Sequence, residues 1–436
     1  MRFIADFHIH SKYSRAVSKD MVLEELDRWA DDKGILVMGT GDFTHPAWFR
    51  ELKEKLEPAE PGLYKLKPQF KLKTIKGTEA DTRFILTVEI SSIYSRGGRT
   101  RRVHNLVFAP DLETAEKINT QLSWIGNIAS DGRPILGLDS EELAKIVFNI
   151  NQNAIIIPAH AWTPWFSVFG SMSGFDALEE CFGAYSKNIF AVETGLSSDP
   201  AMNWRWSKLD NIALISNSDS HSLERIGREA NIFNTEISYQ SIMEALRSRD
   251  PKKFVSTIEF FPEEGKYHYD GHRLCNVSWA PEETKKHRNL CSKCGKAVTV
   301  GVMNRVHALA DRPEIKRKSV KVGEITAQHH ENRVPYVNLV TLDTIIGEAF
   351  DLGPKTKTVK TEYDKLIKAF NSELHILMNV PARDLSASAK PEVVEGIERV
   401  RAGKLAIEPG YDGEFGKIKI FSDADRKKIK EQKSLF

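Results

Sequence analysis

Residues 1–255 read as a parallel α/β barrel, on two observations. Short apolar runs recur as RFIADF, GILVMGTGD, RFILTVE, VHNLVFA, NAIIIPAH, NIFAVET and IALISNSDSH, each ending in polar residues able to do chemistry. Helical patterns separate several of them. In residues 21–33, Leu23, Leu26 and Trp29 or Ala30 return on one face, and residues 140–149 repeat the pattern. Strands alternating with helices, with functional groups at strand carboxyl ends, are the pattern of a βα-barrel.

The composition fits one large barrel with smaller additions. The chain has 436 residues, 62 Lys and Arg against 60 Asp and Glu, and 41% hydrophobic residues. Disorder, a collagen-like repeat and a coiled coil are excluded. No run approaches the ~18 apolar residues of a membrane span, and the start MRFIADFHIHS lacks the pattern of a signal peptide. Neither anchor nor membrane partner is expected, and the few clustered cysteines place the chain in a reducing, cytoplasmic compartment. Composition shifts near FFPEEGKYHYDGH, which predicts a boundary at 256–264 and a metal-bound module over 265–300. Helical patterns then fill 301–380, in VMNRVHALADRP, LDTIIGEAFDLGP and TEYDKLIKAFNSELHILMN, and 381–436 forms a C-terminal segment. Residues 251–330 carry 15 Lys and Arg against 9 Asp and Glu, so basicity is local.

The strand ends carry a ligand set. His8 and His10 stand two apart, which puts both imidazoles on one face of an extended chain and lets them chelate one ion. Asp42, Glu89, His104, His160, Asp219 and His221 follow at the ends of later runs. Imidazole with carboxylate suits Zn or Mn, and a bridging carboxylate such as Glu89 would hold two ions a few ångströms apart. Catalysis is expected to centre on His8, Asp42, Glu89 and Asp219. His45 and Glu193 are placed either behind the ligands or against substrate. A lone histidine of this kind is usually structural; a series at successive strand ends is not.

A second cluster reads as a structural zinc site. Cys291-x-x-Cys294 forms a thiolate knuckle, and His272-x-x-Cys275 has the spacing of its other half. His268, Asp270 and His287 are also near enough in sequence to supply the fourth ligand. Lone Cys181 reads as a small buried hydrophobe.

Basic and aromatic residues suited to nucleic acid gather around these sites. The SRGGRTRR loop offers Arg99, Arg101 and Arg102, and Arg205, Lys316, Arg317, Lys355 and Lys357 follow. Trp162 and Trp165 flank His160, where aromatics can stack on bases or wedge a duplex.

The set DFHIHS, GTGD, VEI, VHNLV, PAHAW and NSDSHS resembles the PHP (polymerase and histidinol phosphatase) superfamily over about the first 225 residues. That resemblance implies a distorted, seven-stranded TIM-like barrel, two or three divalent ions (Zn or Mn, with Mg as a further option) and phosphoester hydrolysis. The stretches VETGLSSDPAMNWR, KYHYDGHRLC, CSKCGK, GVMNRVHALADRP and LGPKTKTV extend the likeness over about 380 residues to the endonuclease Q family of archaea and bacteria. Membership implies a PHP barrel, a zinc-finger element, a helical C-terminal region and DNA as substrate. It further implies nicking on the 5′ side of deaminated bases (uracil, hypoxanthine, xanthine) and abasic sites, with 3′-hydroxyl and 5′-phosphate ends. The alternative is a small-molecule PHP phosphatase of the histidinol-phosphate type, which accounts for the barrel but not for the zinc module or the basic segments. The terminal EQKSLF resembles the start of a sliding-clamp (PCNA) motif through Gln432, Leu435 and Phe436, without the motif's aromatic end.

Overall fold

The computed structural model describes residues 1–422 and 424–426. The clamp-like residues Gln432, Leu435 and Phe436 lie outside that range. At the centre, the strand Arg2–Asp6 pairs in parallel with Val37–Gly39, which pairs in parallel with the start of Arg83–Arg96. The strands Ala191–Glu193 and Ala213–Ile215 form a second parallel pair. Alternation builds the interior: Phe3, Ala5 and Phe7 point inward with Val37, Ile85, Phe108, Ile155, Ile157 and Ile215. Phe7 meets Phe108 edge-on at 5.6 Å, and this apolar plug forms the floor beneath the strand ends. Helices pack outside: Leu23–Lys33 buries Leu23, Leu26 and Ala30, and Ser140–Ile150 buries Leu143, Ala144, Val147 and Phe148. Asp139 caps the latter helix by accepting the Glu142 N–H at 2.7 Å.

The fold is a mixed α/β barrel, and it departs from the all-parallel reading in two places. RFILTVE and VHNLVFA are not separate crossover strands. Arg83–Arg96 and Arg99–Ala109 form one long antiparallel hairpin, in register from Leu86 opposite Ala109 to Arg96 opposite Arg99. Its turn is Gly97–Gly98, with φ of 62° and 72°, a left-handed pair that glycine adopts without steric cost. On the other flank Ala230–Asn234 runs antiparallel to both Arg2–Asp6 and Phe254–Glu259.

Residues 301–380, read mainly as helices, also hold three strands. After the helix Val302–Leu309, a hairpin of Lys318–Val322 and Ile325–His329 leads into Tyr336–Asn338. Tyr336–Asn338 pairs in parallel with Phe254–Glu259, so the main sheet continues past residue 255. The run read as one helix from TEYDK to LMN breaks at Asn371 into Lys357–Phe370 and Glu373–Met378. With Leu342–Phe350 and Pro391–Arg401 these helices pack through Ile345, Leu366, Leu377, Val393 and Ile397. Among the described residues no helix is long and apolar enough to cross a membrane.

Candidate metal centre

His8 and His10 follow the first strand directly, and both rings are fully buried, 5.4 Å apart. Their Nδ1 atoms face backing carboxylates: His8 Nδ1 lies 3.1 Å from both oxygens of Glu193, and His10 Nδ1 lies 3.0 Å from Asp42 Oδ1. Such pairing fixes ring and tautomer and leaves Nε2 free to ligate. Glu193 is itself held by the His160 N–H and the Asn217 side chain, each at 2.8 Å. Asp42 Oδ2 accepts from the Ser11 N–H, the Ser11 hydroxyl and the Ser14 hydroxyl at 2.7, 2.7 and 2.9 Å.

Two groups of ligand atoms result, each within 4.8 Å of its fellows. One joins His8, His10, Glu89 and Asp219; the other joins Glu89, His104 and His160. Glu89 belongs to both. Its Oε1 lies 2.7 Å from His104 Nδ1 and 3.0 Å from His160 Nε2, while Oε2 lies 3.3 Å from His10 Nε2. His8 Nε2, His10 Nε2 and Asp219 Oδ1 are buried and lack a hydrogen-bond partner among the described residues, and such orphans are costly unless something binds them. A divalent cation meets that requirement, and imidazole with carboxylate is a donor set that such an ion accepts. Burial alone would keep Glu89 protonated, but the charges of His8 and Arg133 beside it hold its carboxyl well below the usual carboxylate range. Burial brings His104 down to about 4, leaving the imidazole neutral and ready to ligate.

Backbone strain marks the same residues. Asp42, His160 and Asp219 have φ of 52°, 30° and 45°, a region that non-glycine residues occupy at a cost of about 1–3 kcal/mol each. Surrounding hydrogen bonds over-determine these conformations.

Several expected ligands and contacts are placed elsewhere. Asp42 stands behind His10, with its oxygens committed to Nδ1 and to Ser11 and Ser14, not among the clustered ligand atoms. His221 lies beside the site, its ring 4.7 Å from that of His10 and its Nδ1 2.9 Å from the Asp219 carbonyl. His45 stacks on Tyr13 at 4.3 Å. Trp162 is a core residue, 1% exposed, packed on Phe169 and Trp206 with its N–H donated to Asn203 at 2.7 Å; it cannot meet DNA there. Arg101 donates to the Gly174 carbonyl and lies over the Phe175 ring at 4.1 Å, so its guanidinium is committed to the fold. Arg205 reaches His307 at 3.2 Å. Arg99, Lys316, Arg317, Lys355 and Lys357 are exposed, and Arg102 lies 5.7 Å over Phe166.

A cavity of about 500 Å³ opens onto the ligands, lined by His104, His160 and Asp219 together with Arg15, Ser91, Asp131, Arg133, Trp165, Phe166 and Ser197. Arg15, Asp131 and Arg133 escaped the sequence reading; the signal available was an Asp-Gly-Arg-Pro turn of unassigned purpose. Arg305 was missed too. From the helix Val302–Leu309 it donates to the carbonyls of Phe169 and Phe175 at 2.8 and 2.9 Å, pinning the loop that carries Trp165 and Phe166.

The other cluster is compact. His272, Cys275, Cys291 and Cys294 bring their ligand atoms within 4.8 Å of one another, the donor set of a tetrahedral zinc. The remaining candidates lie outside the cluster: Asp270 accepts from the Gly301 N–H at 2.6 Å, His287 stacks on Trp279 at 4.3 Å, and His268 is buried, with its backbone bonded to Gly265 and Met303. Cys181 is buried as expected, its thiol pushed up to about 12 by that burial.

Glu89 and His104 lie within the long hairpin strands and not at strand ends, yet they meet the histidines that follow the other strands. A barrel that gathers histidines around a shared carboxylate in this way is a metal-dependent phosphoester hydrolase. Comparison with known proteins narrows the class. The chain matches PfuEndoQ, a lesion-specific endonuclease from Pyrococcus furiosus, with a TM-score of 0.82 and 30% identity, over 100% of this chain and 99% of that one. It matches endonuclease Q bound to a 27-mer duplex with an abasic lesion at the active site equally well, with a TM-score of 0.81 and 30% identity over 98% of both chains. The uncharacterized protein YqxK of Bacillus subtilis is 30% identical over 96% of this chain and 99% of its own length. The uncharacterized protein MJ0043 of Methanocaldococcus jannaschii is 33% identical over 318 residues, which span 69% of this chain and 37% of that protein. Family models described as PHP-associated and as the MJ0043 C-terminal domain match residues 202–251 and 341–404. The chain belongs to the endonuclease Q family of metal-dependent DNA endonucleases.

Proposed function

We propose that this chain is a DNA-repair endonuclease that cuts the phosphodiester 5′ of deaminated bases and abasic sites, leaving 3′-hydroxyl and 5′-phosphate ends. The observation that carries the reading is the Glu89-bridged pair of ligand groups at the floor of a cavity roomy enough for an extruded nucleotide. A full-length relative with an abasic duplex at its active site supports the choice of DNA over a small monoester. Bound there, two divalent ions of the Zn or Mn type would supply a water acidified toward pKa ~7 and neutralise phosphate charge.

The protein's own residues do the rest. His8, His10, Glu89 and Asp219 would hold one ion and Glu89, His104 and His160 another, while Glu193 and Asp42 aim the first two imidazoles. His272, Cys275, Cys291 and Cys294 hold a structural zinc. Trp165 and Phe166 line the cavity wall and offer apolar faces for an unstacked base. A deaminated base pairs weakly, so extruding it costs less than the few kcal/mol required for a normal base. The reading is tested by incubating the full chain with labelled duplexes carrying deoxyuridine, deoxyinosine, an abasic site or no lesion, with Mn, Zn or Mg added or chelator present. One metal-dependent nick immediately 5′ of each lesion is expected. Intact DNA beside brisk hydrolysis of a phosphate monoester would overturn it in favour of a small-molecule phosphatase.

A further inference from the structure

The turn Asp131-Gly132-Arg133 is built to deliver one guanidinium to the metal centre. Arg133 Nη1 lies 3.0 Å from Glu89 Oε2, the carboxylate shared by both ligand groups, and Arg133 also lines the cavity. Three features fix it there. Asp131, only 5% exposed, accepts the N–H groups of Arg133 and Arg15 on Oδ1 at 3.1 and 3.3 Å, which ties the turn to the loop after His10. Gly132 donates its N–H to the Tyr13 carbonyl at 3.1 Å and lies so close to that loop that a Cβ would stand 2.3 Å from Asp42 Oδ2 and 2.4 Å from Ser14 Oγ. Only glycine fits. The Pro134 carbonyl then accepts the Ser91 N–H at 3.0 Å, anchoring the turn to the strand that carries Glu89.

Charge gives this geometry a purpose. The ligand groups contribute two carboxylates, Glu89 and Asp219, toward the divalent ions they would hold, and Arg133 adds a further positive charge at the same spot. A guanidinium beside a cationic centre is stable where an anion completes the set. We infer that Arg133 is a catalytic residue that donates its N–H groups to a non-bridging oxygen of the scissile phosphate, with Asp131 and Gly132 as positioning residues. Attack by water forms one P–O bond and breaks the P–O3′ bond, whose electron pair leaves on the 3′-oxygen and takes up a proton. Negative charge grows on the non-bridging oxygens as the attack proceeds, and the planar fork of arginine matches them. The inference rests on reading the site as a phosphodiesterase.

Arg133→Lys and Arg133→Ala in the full chain test it, with bound metal, duplex binding and nicking measured separately. Metal per chain should be unchanged in both variants, KM for the lesion duplex should shift less than about tenfold, and kcat should fall about 10²–10³-fold. Added guanidinium ion should restore part of the rate to Arg133→Ala. An unchanged kcat, or a fall in kcat that tracks lost metal, overturns the inference and leaves Arg133 as a support for Glu89. Should the alanine variant not fold, Arg133→Lys decides: it keeps the charge without the fork, and kcat equal to that of the parent overturns the inference. A parent chain that cuts no DNA sinks the functional reading and this inference with it, whereas unaltered kcat in the variants of an active chain sinks the inference alone.

Discussion

Asp42 and Asp219 occupy similar strand-end positions with similar left-handed backbones, yet they face different partners and their loss should read differently. Asp219 contributes a buried, unpartnered oxygen to a ligand group, so Asp219→Ala should abolish nicking at every metal concentration. Asp42 aims His10 from behind, and removal of such a backing carboxylate typically weakens metal affinity about 10–100-fold. Asp42→Ala should therefore lose activity at limiting metal and regain it in excess, as a titration of nicking against Mn would reveal; loss that no metal concentration repairs would make Asp42 a ligand after all. His268 offers a separate test. Burial takes it down to about 4, and its Nδ1 has no partner among the described residues. The folded chain keeps it neutral while the unfolded chain protonates it below about 6.5, so this contribution to stability is whole above that pH and declines towards pH 4. At pH 5 the loss should be about 2 kcal/mol, and urea unfolding of His268→Asn at pH 7 and pH 5 should show a smaller difference than the parent. Equal pH dependence in the two proteins would show that His268 does not titrate in that window. Single residues were the most legible level of this sequence because ligand chemistry is carried by residue type. What spacing could not separate was a carboxylate that binds an ion from one that orients a ligand, since only the direction of the side chain differs.

Elements were legible where one period dominated. The helix Leu23–Lys33 shows its buried stripe in the sequence, and the Gly97–Gly98 turn was visible as a glycine-containing loop. Its pairing was not: an apolar run buried on both faces looks the same in a parallel sheet and in a long hairpin. The antiparallel pairing matters to the site, because it places His104 opposite Ser91, one diagonal step from Glu89 on the neighbouring strand. The strands at 318–338 were hidden for another reason. Lys318–Val322 is largely exposed and rich in lysine, as suits an edge strand, and carries little apolar signal. The helix Val302–Leu309 reaches back through Arg305 to the loop bearing Trp165 and Phe166. Arg305→Ala leaves two carbonyls without their donor, at a cost of about 1–3 kcal/mol, and frees the cavity wall. Its expected signature is a raised KM for the lesion duplex with metal content unchanged, read from steady-state nicking and elemental analysis. A KM equal to that of the parent would show that the wall is held without it.

At the scale of the molecule, the barrel and the C-terminal helices are joined by a buried polar contact that sequence separation conceals. Lys33 and Glu373, 340 residues apart and each with a side chain only 3% exposed, pair at 2.6 Å, and Glu373 also accepts from Tyr363 at 2.7 Å. Such a contact orients the C-terminal helices against the barrel, and with them Lys355 and Lys357, while the stretch between Arg312 and the hairpin carries Lys316 and Arg317, also exposed. A net charge of +2 gives the whole chain little pull on a polyanion, so DNA affinity must come from where the basic side chains stand. Each phosphate contact releases condensed counterions, and its removal lowers the slope of log affinity against log salt by about 1. Paired alanine variants at Lys316 and Arg317, and at Lys355 and Lys357, therefore report which stretch the duplex follows. A pair that touches phosphate should lose about two units of slope, weaken lesion-bearing and lesion-free duplex alike, and leave the preference between them intact. If both pairs keep the parent slope, the duplex runs elsewhere, and Arg99 at the exposed hairpin tip and Arg102 over Phe166 become the next basic contacts to test among those read from the sequence.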